Sequence, residues 1–375
     1  MSNTLVKEKD VIVYRNEASY SHNAVVEQLQ DGQLLVVIQE QNRRPLRSHN
    51  DPSSRAVLLR STDGGNTWDP ATKTTVVDTP NEANNDPSIR QLSDGTLIVN
   101  YFTWRCGNEQ EVPTEHAYVR TLDGIHYAWT TGTHTMRSSD GGSSWENPVT
   151  VPSPTGDDTL VSDPIIELPD GQLMIPLYAS HPGEMDHVLV MRSQDGGRSW
   201  GEPTTVIRDL LGQMDFNEPS LLYLPSRKLI CMMRAHRARE QEYGYFLYQS
   251  DSDDLGQTWS PVQRTLIWGH PPHLLRLQSG NILCVYGYRR PPYGVRACLS
   301  HDDGQTWDLK NELILRCDGI DADVGYPTSI QLADGRIFTV WYLTEPPHDQ
   351  KLSGHDHWVR ASPLAYIGGT FLQEA

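Results

Sequence analysis

Apolar residues in this chain come in paired short runs, each pair folded about two residues of turn chemistry. AVVEQL and QLLVVI flank Asp31-Gly32, SIRQL and TLIVN flank Asp94-Gly95, and PIIEL and QLMIP flank Asp170-Gly171. SLLYL and KLICMM flank Ser226-Arg227, HLLRL and NILCVY flank Ser279-Gly280, and TSIQL and RIFTVW flank Asp334-Gly335. Runs of this length, rich in Val, Ile, Leu and Tyr, read as strands, and an Asp-Gly pair supplies the positive φ angles of a two-residue hairpin turn. Six β-hairpins are therefore predicted, in phase along the chain. No segment of convincing length repeats its apolar positions with a helical period, and glycine and proline are spread through the turns rather than gathered in a linker.

A second repeat runs out of phase with the first. The pattern Ser-x-Asp-x-Gly-x-(Thr/Ser)-Trp occurs at Ser61–Trp68, Ser138–Trp145, Ser193–Trp200, Ser252–Trp259 and Ser300–Trp307. Its aspartate can accept backbone N–H bonds across a tight turn, its glycine tolerates φ > 0, and its tryptophan offers a large apolar face. The box thus reads as scaffold, a clasp between outer strands. Room remains before each box for a third strand (AVLLRS, HVLVMRS, FLYQS, VRACLS), and the box leads into a fourth. Four strands per unit and six units give an all-β fold, a six-bladed β-propeller of four-stranded antiparallel blades in one domain over residues 1–375. The sixth unit has no box. HWVRASPL (His357–Leu364) is expected to supply its third strand, and an amino-terminal strand around VIVYR to complete the last blade.

Charge narrows the partners. With 31 Lys+Arg against 48 Asp+Glu the formal net charge is −17, which repels nucleic-acid phosphates and anionic membrane surfaces. A small anionic substrate stays compatible with this exterior if arginines are concentrated in a cleft. The amino terminus carries no apolar core of secretory-signal length, and no run of about 18 apolar residues occurs, so the expected location is the cytoplasm. The five cysteines form neither a CxxC nor a Cys/His zinc spacing and are expected to be reduced core thiols.

The in-phase hairpins select a ring of side chains. Just upstream of the six inner strands stand Ser21-His22-Asn23, Asn85-Asp86-Pro87, Ser162-Asp163-Pro164, Asn217-Glu218-Pro219, Gly269-His270-Pro271 and Gly325-Tyr326-Pro327. His22, Asp86, Asp163, Glu218, His270 and Tyr326 are therefore expected to converge on the propeller axis. Any one of these polar residues could simply cap a turn. Six in register point to a site. A second set follows the second strand of each hairpin: Arg43 and Arg44, Arg105, His181, Arg234 with His236, then Arg289 and Arg290. Arginines repeated at one end of the blades of an acidic protein suggest anion binding. A divalent ion held by His22, His270, His273 and Asp86 is geometrically conceivable, but no short ligand spacing supports it, and no cofactor is expected.

The boxes and the six-hairpin count resemble the sialidase (neuraminidase) superfamily, and the resemblance spans nearly the whole chain. NEPSLLYLPSRKLICMMR resembles the segment in which a glutamate is followed, one hairpin later, by a carboxylate-binding arginine, which implies Glu218 and Arg234. DVGYPTSIQLADGRIFTVWY resembles the segment of the tyrosine nucleophile, implying Tyr326, and NDPSSRAVLLRSTDGG resembles the first-blade loop of the acid/base aspartate, implying Asp51. A further substrate arginine would be Arg289, Arg290 or Arg296, and spacing does not choose among them. The first arginine of the family's triad is missing: His22 stands in its place.

The resemblance implies an exo-acting glycoside hydrolase that takes a terminal acidic or unusual sugar from an oligosaccharide. Tyr326 would be the nucleophile, Glu218 its proton acceptor and Asp51 the acid/base, since a tyrosine hydroxyl is weakly nucleophilic at its ordinary pKa of about 10. His22, Arg105, Asp163, Arg234, His270, Arg289 and Arg296 would contact substrate. Two alternatives stay open. Glu218 could work with Asp86, Asp163 or Asp51 as a carboxylate pair on a neutral sugar, as in arabinan-degrading propellers. A carbohydrate-binding propeller without turnover is the other, though it needs fewer titratable groups than this axis gathers.

Overall fold

The computed structural model describes residues 4–114, 119–121, 126–153, 158–181, 184–237, 245–350 and 359–375. Six antiparallel sheets surround an axis, in the order that the hairpin repeat predicts. The first blade is Ser19–Gln28, Leu34–Asn42, Arg55–Ser61 and Thr74–Val77; the second is Glu82–Gln91, Leu97–Asn108, His126–Ser138 and Val149–Thr150, with Val119–Thr121 added beside His126–Ser138. The fourth is Met214–Tyr223, Leu229–Arg237, Phe246–Ser252 and Gln263–Trp268, and the fifth is Pro272–Arg276, Ile282–Tyr288, Tyr293–Ser300 and Leu313–Gly319. Among the described residues the helical content is three short 3₁₀ turns.

The third blade is less regular. Asp158–Leu160 and Ile166–Glu167 both pair with Leu173–Ser180, so its inner strand is broken around Asp163, and His187–Ser193 and Thr204–Ile207 complete the blade. The sixth blade corrects one expectation. Its third strand is Leu364–Glu374, not His357–Leu364: Val359–Arg360 pairs instead with Asp349–Gln350 in a small separate ribbon, and His357 and Trp358 lie outside the described residues. Leu364–Glu374 is the longer apolar run, and it satisfies both Ile337–Glu345 and the amino-terminal strand Leu5–Tyr14, which closes the ring as its outermost strand. All five cysteines are free; Cys231, Cys284 and Cys298 are core thiols, Cys106 is half-buried, and Cys317 is exposed, against expectation.

The boxes do more than close their own turns. Within each, the aspartate accepts the backbone N–H and hydroxyl of the Thr or Ser four residues on, as in Thr67 N to Asp63 Oδ1 at 2.9 Å and Thr67 Oγ1 to Asp63 Oδ2 at 2.6 Å. The turn also docks on the preceding blade. Arg60 donates to the Gly141 carbonyl, Arg137 to that of Gly196, Arg192 to that of Gly256 at 2.6 Å, and Gln249 to that of Gly304 at 2.9 Å. Trp68 of the first box stacks on Phe338 of the sixth blade, ring centres 6.1 Å apart. Gly197 shows why glycine is needed: its φ is +86°, and a Cβ would sit 2.5 Å from Cδ1 of Ile98 in the second blade. Gly197→Ala is expected to lower the unfolding free energy by roughly 1–3 kcal/mol through positive-φ strain and overpacking, read as a fall in the urea midpoint.

Candidate functional site

Four inner strands carry the same local irregularity, and it builds the site. A bulge interrupts the register between His22 and Ala24, Asn85 and Ser88, Asn217 and Ser220, and Gly325 and Thr328. The residue at each bulge takes a positive φ: Asn23 at 45°, Asp86 at 47°, Glu218 at 46° and Tyr326 at 42°. A bulge re-aims its side chain, here toward the axis, and left-handed φ in non-glycine residues carries strain that concentrates at functional positions. Asn23, Asp86, Glu218 and Tyr326 line one cavity of about 320 Å³. The sequence points to His22 in the first blade; the structure puts Asn23 there, because the bulge falls one residue later.

Glu218 is the hub. The Tyr326 hydroxyl donates to its Oε1, and Arg234 Nη1 donates to Oε1 at 3.0 Å and to Oε2 at 2.9 Å. Burial works against the carboxylate charge, but Arg234, Arg289 and the Tyr326 hydroxyl outweigh it and hold Glu218 below its ordinary value. Burial, then the charges of Glu218 and Asp86, push the Tyr326 hydroxyl well above its ordinary range, so it stands as a neutral donor. Asp86 behaves oppositely to Glu218. Burial and then the Glu218 charge push its carboxyl up to about 7, although Asn23 Nδ2 donates to its Oδ1.

None of the three arginines between which spacing does not choose lines the cavity, but Arg289 packs against a residue that does. Arg289 places its guanidinium over the Tyr326 ring at 5.4 Å and donates from Nε to the Val324 carbonyl at 3.0 Å; its Nη2 is buried without a hydrogen-bond partner. Arg290 lies over Trp268, and Arg296 lies over Tyr288 and donates to Glu312 at 2.5 Å, both away from the cavity. Arg105 is exposed and does not line the cavity, because strand alternation turns its neighbour Trp104 inward instead. The rim arginine of that blade is Arg120, stacked over Trp104 at 4.9 Å.

The remaining expected residues lie outside this cavity. The Asp51 carboxylate is turned away and held, accepting from Arg44 and from the Ser53 N–H at 2.9 Å and hydroxyl at 2.6 Å. Its loop contributes His49 and Asn50 to the cavity instead. His22 is fully buried beneath His49, ring centres 4.6 Å apart; burial and then His49 push its imidazole down to about 3. His270 is buried against Tyr245 at 4.7 Å. Asp163 lines a narrow axial passage below the cavity, shared with Asn23, Asp86 and Tyr326, and accepts from His273 Nδ1 at 2.9 Å. Among the described residues no group of three His, Cys, Asp or Glu is arranged to hold a metal ion.

His236, expected beside Arg234, lines the cavity with it; sequence reasoning missed His49, Asp323 and the aromatic wall of Phe102, Trp104 and Tyr178. Trp104 was accessible through alternation, as Arg105 was the neighbour noticed. His49 and Asp323 sit on loops that no repeat marks.

Residues 114–339 match the family described as BNR repeat-like domain. No curated protein matches the chain. Among solved structures, a protein of unknown function from Dyadobacter fermentans superposes with a TM-score of 0.84 at 24% identity, covering 99% of this chain and 100% of that one. An intramolecular trans-sialidase from Ruminococcus gnavus, in complex with oseltamivir carboxylate, gives 0.64 at 12% identity over 95% and 96% of the two chains. An α-L-arabinanase from Penicillium chrysogenum, complexed with arabinobiose, gives 0.62 at 14% identity over 96% and 98%. At these identities the likeness is one of fold.

Proposed function

This chain belongs to the BNR repeat-like domain family and has the sialidase-like propeller, and from that premise we propose that it is an exo-acting glycoside hydrolase for a terminal acidic or unusual sugar. The observation that carries the reading is the Tyr326 hydroxyl bonded to a Glu218 carboxylate that Arg234 keeps ionised, at the floor of an open cavity. A tyrosine needs such a base to become a nucleophile. In the first step Tyr326 Oη bonds to the anomeric carbon as the glycosidic C–O bond breaks; the tyrosine proton passes to Glu218, and Asp86 gives its proton to the leaving oxygen. Water then displaces the tyrosine, giving one proton to Asp86, while Tyr326 recovers its own from Glu218. Asp86, protonated near neutrality, takes the acid role that the sequence assigns to Asp51.

A second reading has its own support. Asp86 and Glu218 line one cavity with carboxyls pushed in opposite directions, the signature of an acid and a base or nucleophile, which suits a carboxylate pair acting on a neutral sugar. Tyr326→Phe separates the two in a screen of aryl glycosides of sialic acid, uronic acids and neutral pentoses. Turnover of the best substrate is expected to fall at least about a hundredfold in the first reading. Turnover within a few fold of wild type would transfer the reaction to the carboxylate pair, and no turnover of any glycoside by the wild-type protein would leave a binding module.

A further inference from the structure

The residue just ahead of the box serine is Arg60, Arg137 and Arg192 in the first three blades, and each guanidinium runs across the seam to end against a glycine of the next box. In the fourth blade that residue is Asp251. Its carboxylate turns to Lys228 at 2.7 Å, and the shorter Gln249 crosses the seam instead, reaching the Gly304 carbonyl at 2.9 Å. The space that an arginine takes up in the other seams is left here as a groove of about 530 Å³ between the fourth and fifth blades. It is larger than the axial cavity, and its volume lies within the range of small-molecule sites.

We infer that this groove is a second ligand site, which binds a neutral saccharide chain. One wall is the half-buried Trp307 ring, whose orientation Gln249 Oε1 fixes by accepting from Nε1 at 3.2 Å. The rim carries the exposed Gln263 and Gln305 amides, which make no side-chain hydrogen bond among the described residues. An indole offers a flat apolar face to the C–H face of a sugar ring, and an amide both donates and accepts, as sugar hydroxyls do. The charged side chains of the groove are Asp251, already paired, and Arg264, laid over the Phe246 ring at 4.8 Å, so no cluster of cations is present to hold a polyanion. An added peptide strand fits less well. The neighbouring edge strand Gln263–Trp268 shifts register opposite Phe246 and Tyr248, and its Ile267 N–H is taken by Thr265 Oγ1 at 3.1 Å. The boxes close the far ends of the third strands, and antiparallel order sets those ends opposite the axial cavity, where the inner strands begin. The groove therefore holds a chain other than one entering the cavity and tethers the protein to polysaccharide, whatever reaction the cavity performs.

The test is native electrophoresis of the whole protein through gels containing arabinan, xylan, galactan or mixed-linkage glucan, with polygalacturonate as the anionic comparison. At least one of the neutral polymers is expected to retard the protein. Asp251→Arg, which returns to this seam the arginine of the other three, should raise the apparent Kd for that polymer at least about tenfold without lowering the melting temperature. If that variant does melt earlier, Gln263→Ala combined with Gln305→Ala, both at exposed positions, replaces it with the same loss expected. Asp86→Asn, a change in the axial cavity, should leave the retardation as it is. No retardation by any neutral polymer, equal retardation by polygalacturonate, or retardation that survives the groove variants overturns the inference. Retardation lost in Asp86→Asn would move the binding to the axial cavity and overturn it equally.

Discussion

Asp86→Asn is expected to give a protein that unfolds later than the wild type at neutral pH and, under the proposed hydrolase reaction with Asp86 as general acid, turns over glycoside at least about a hundredfold more slowly. Both effects have one cause. The carboxyl is pushed up to about 7 from its ordinary 3.8 by burial and by Glu218, so the folded protein binds a proton that the unfolded chain releases across that window. Where the folded state holds more protons, stability falls as pH rises. The penalty is absent below about pH 4 and complete above about pH 7, where it amounts to roughly 4 kcal/mol. Asparagine removes the titrating group, keeps an oxygen for Asn23 Nδ2, and tolerates the φ of 47° as well as aspartate does. Paired urea melts at pH 5 and pH 8 should show the variant's advantage growing with pH; an advantage that does not change with pH would refute the assignment.

Glu218→Ala should act in the opposite sense on stability. It strands the Arg234 guanidinium, whose two bonds to the carboxylate are its only contacts with an anion among the described residues. Breaking a buried pair from one side typically costs 3–5 kcal/mol, and the lower end, about 3 kcal/mol, applies because 21% of the Arg234 side chain meets cavity water. Adding Arg234→Met should restore most of that stability without restoring turnover, since the tyrosine still lacks its base. If the double variant is as unstable as Glu218→Ala alone, the loss comes from packing rather than from the stranded charge.

These expectations rest on residues that the sequence exposed unequally. Glu218, Asp86 and Tyr326 were legible because the hairpin phase and the following proline mark the bulge, and Arg234 because it faces Asn217 across the same hairpin. Asn23 was not, since no proline follows it and His22 is the more reactive side chain. Arg105 shows a different limit. A one-residue choice on a strand flips the side chain to the other face, and composition cannot decide which of Trp104 and Arg105 turns inward. Asp51 and His49 share one loop, and which side chain enters the cavity depends on Arg44 and Ser53 capturing the Asp51 carboxylate, an arrangement no repeat encodes. Arg289 is distinguished from Arg290 and Arg296 only by where Tyr326 lies, a contact between neighbouring blades. The last strand at Leu364–Glu374 was settled by a pairing partner distant in sequence, the amino-terminal strand Leu5–Tyr14.

The docking of each box on the blade before it gives the ring a direction. The first box fastens to the sixth blade, the second to the first, and so on to the fifth, which fastens to the fourth. Between the fifth and sixth blades no box intervenes; there the seam is laced by the amino-terminal strand, with Lys7 on the Leu315 carbonyl at 2.7 Å, Arg316 near Asp10 at 3.5 Å, and the same arginine over Trp341 at 4.6 Å. Tyr326 stands on one side of that seam and Glu218, with the fourth and fifth blades, on the other. The belt therefore has a single buckle, and the hydrogen bond from Tyr326 to Glu218 reaches across the one seam that none of the five repeated turns fastens.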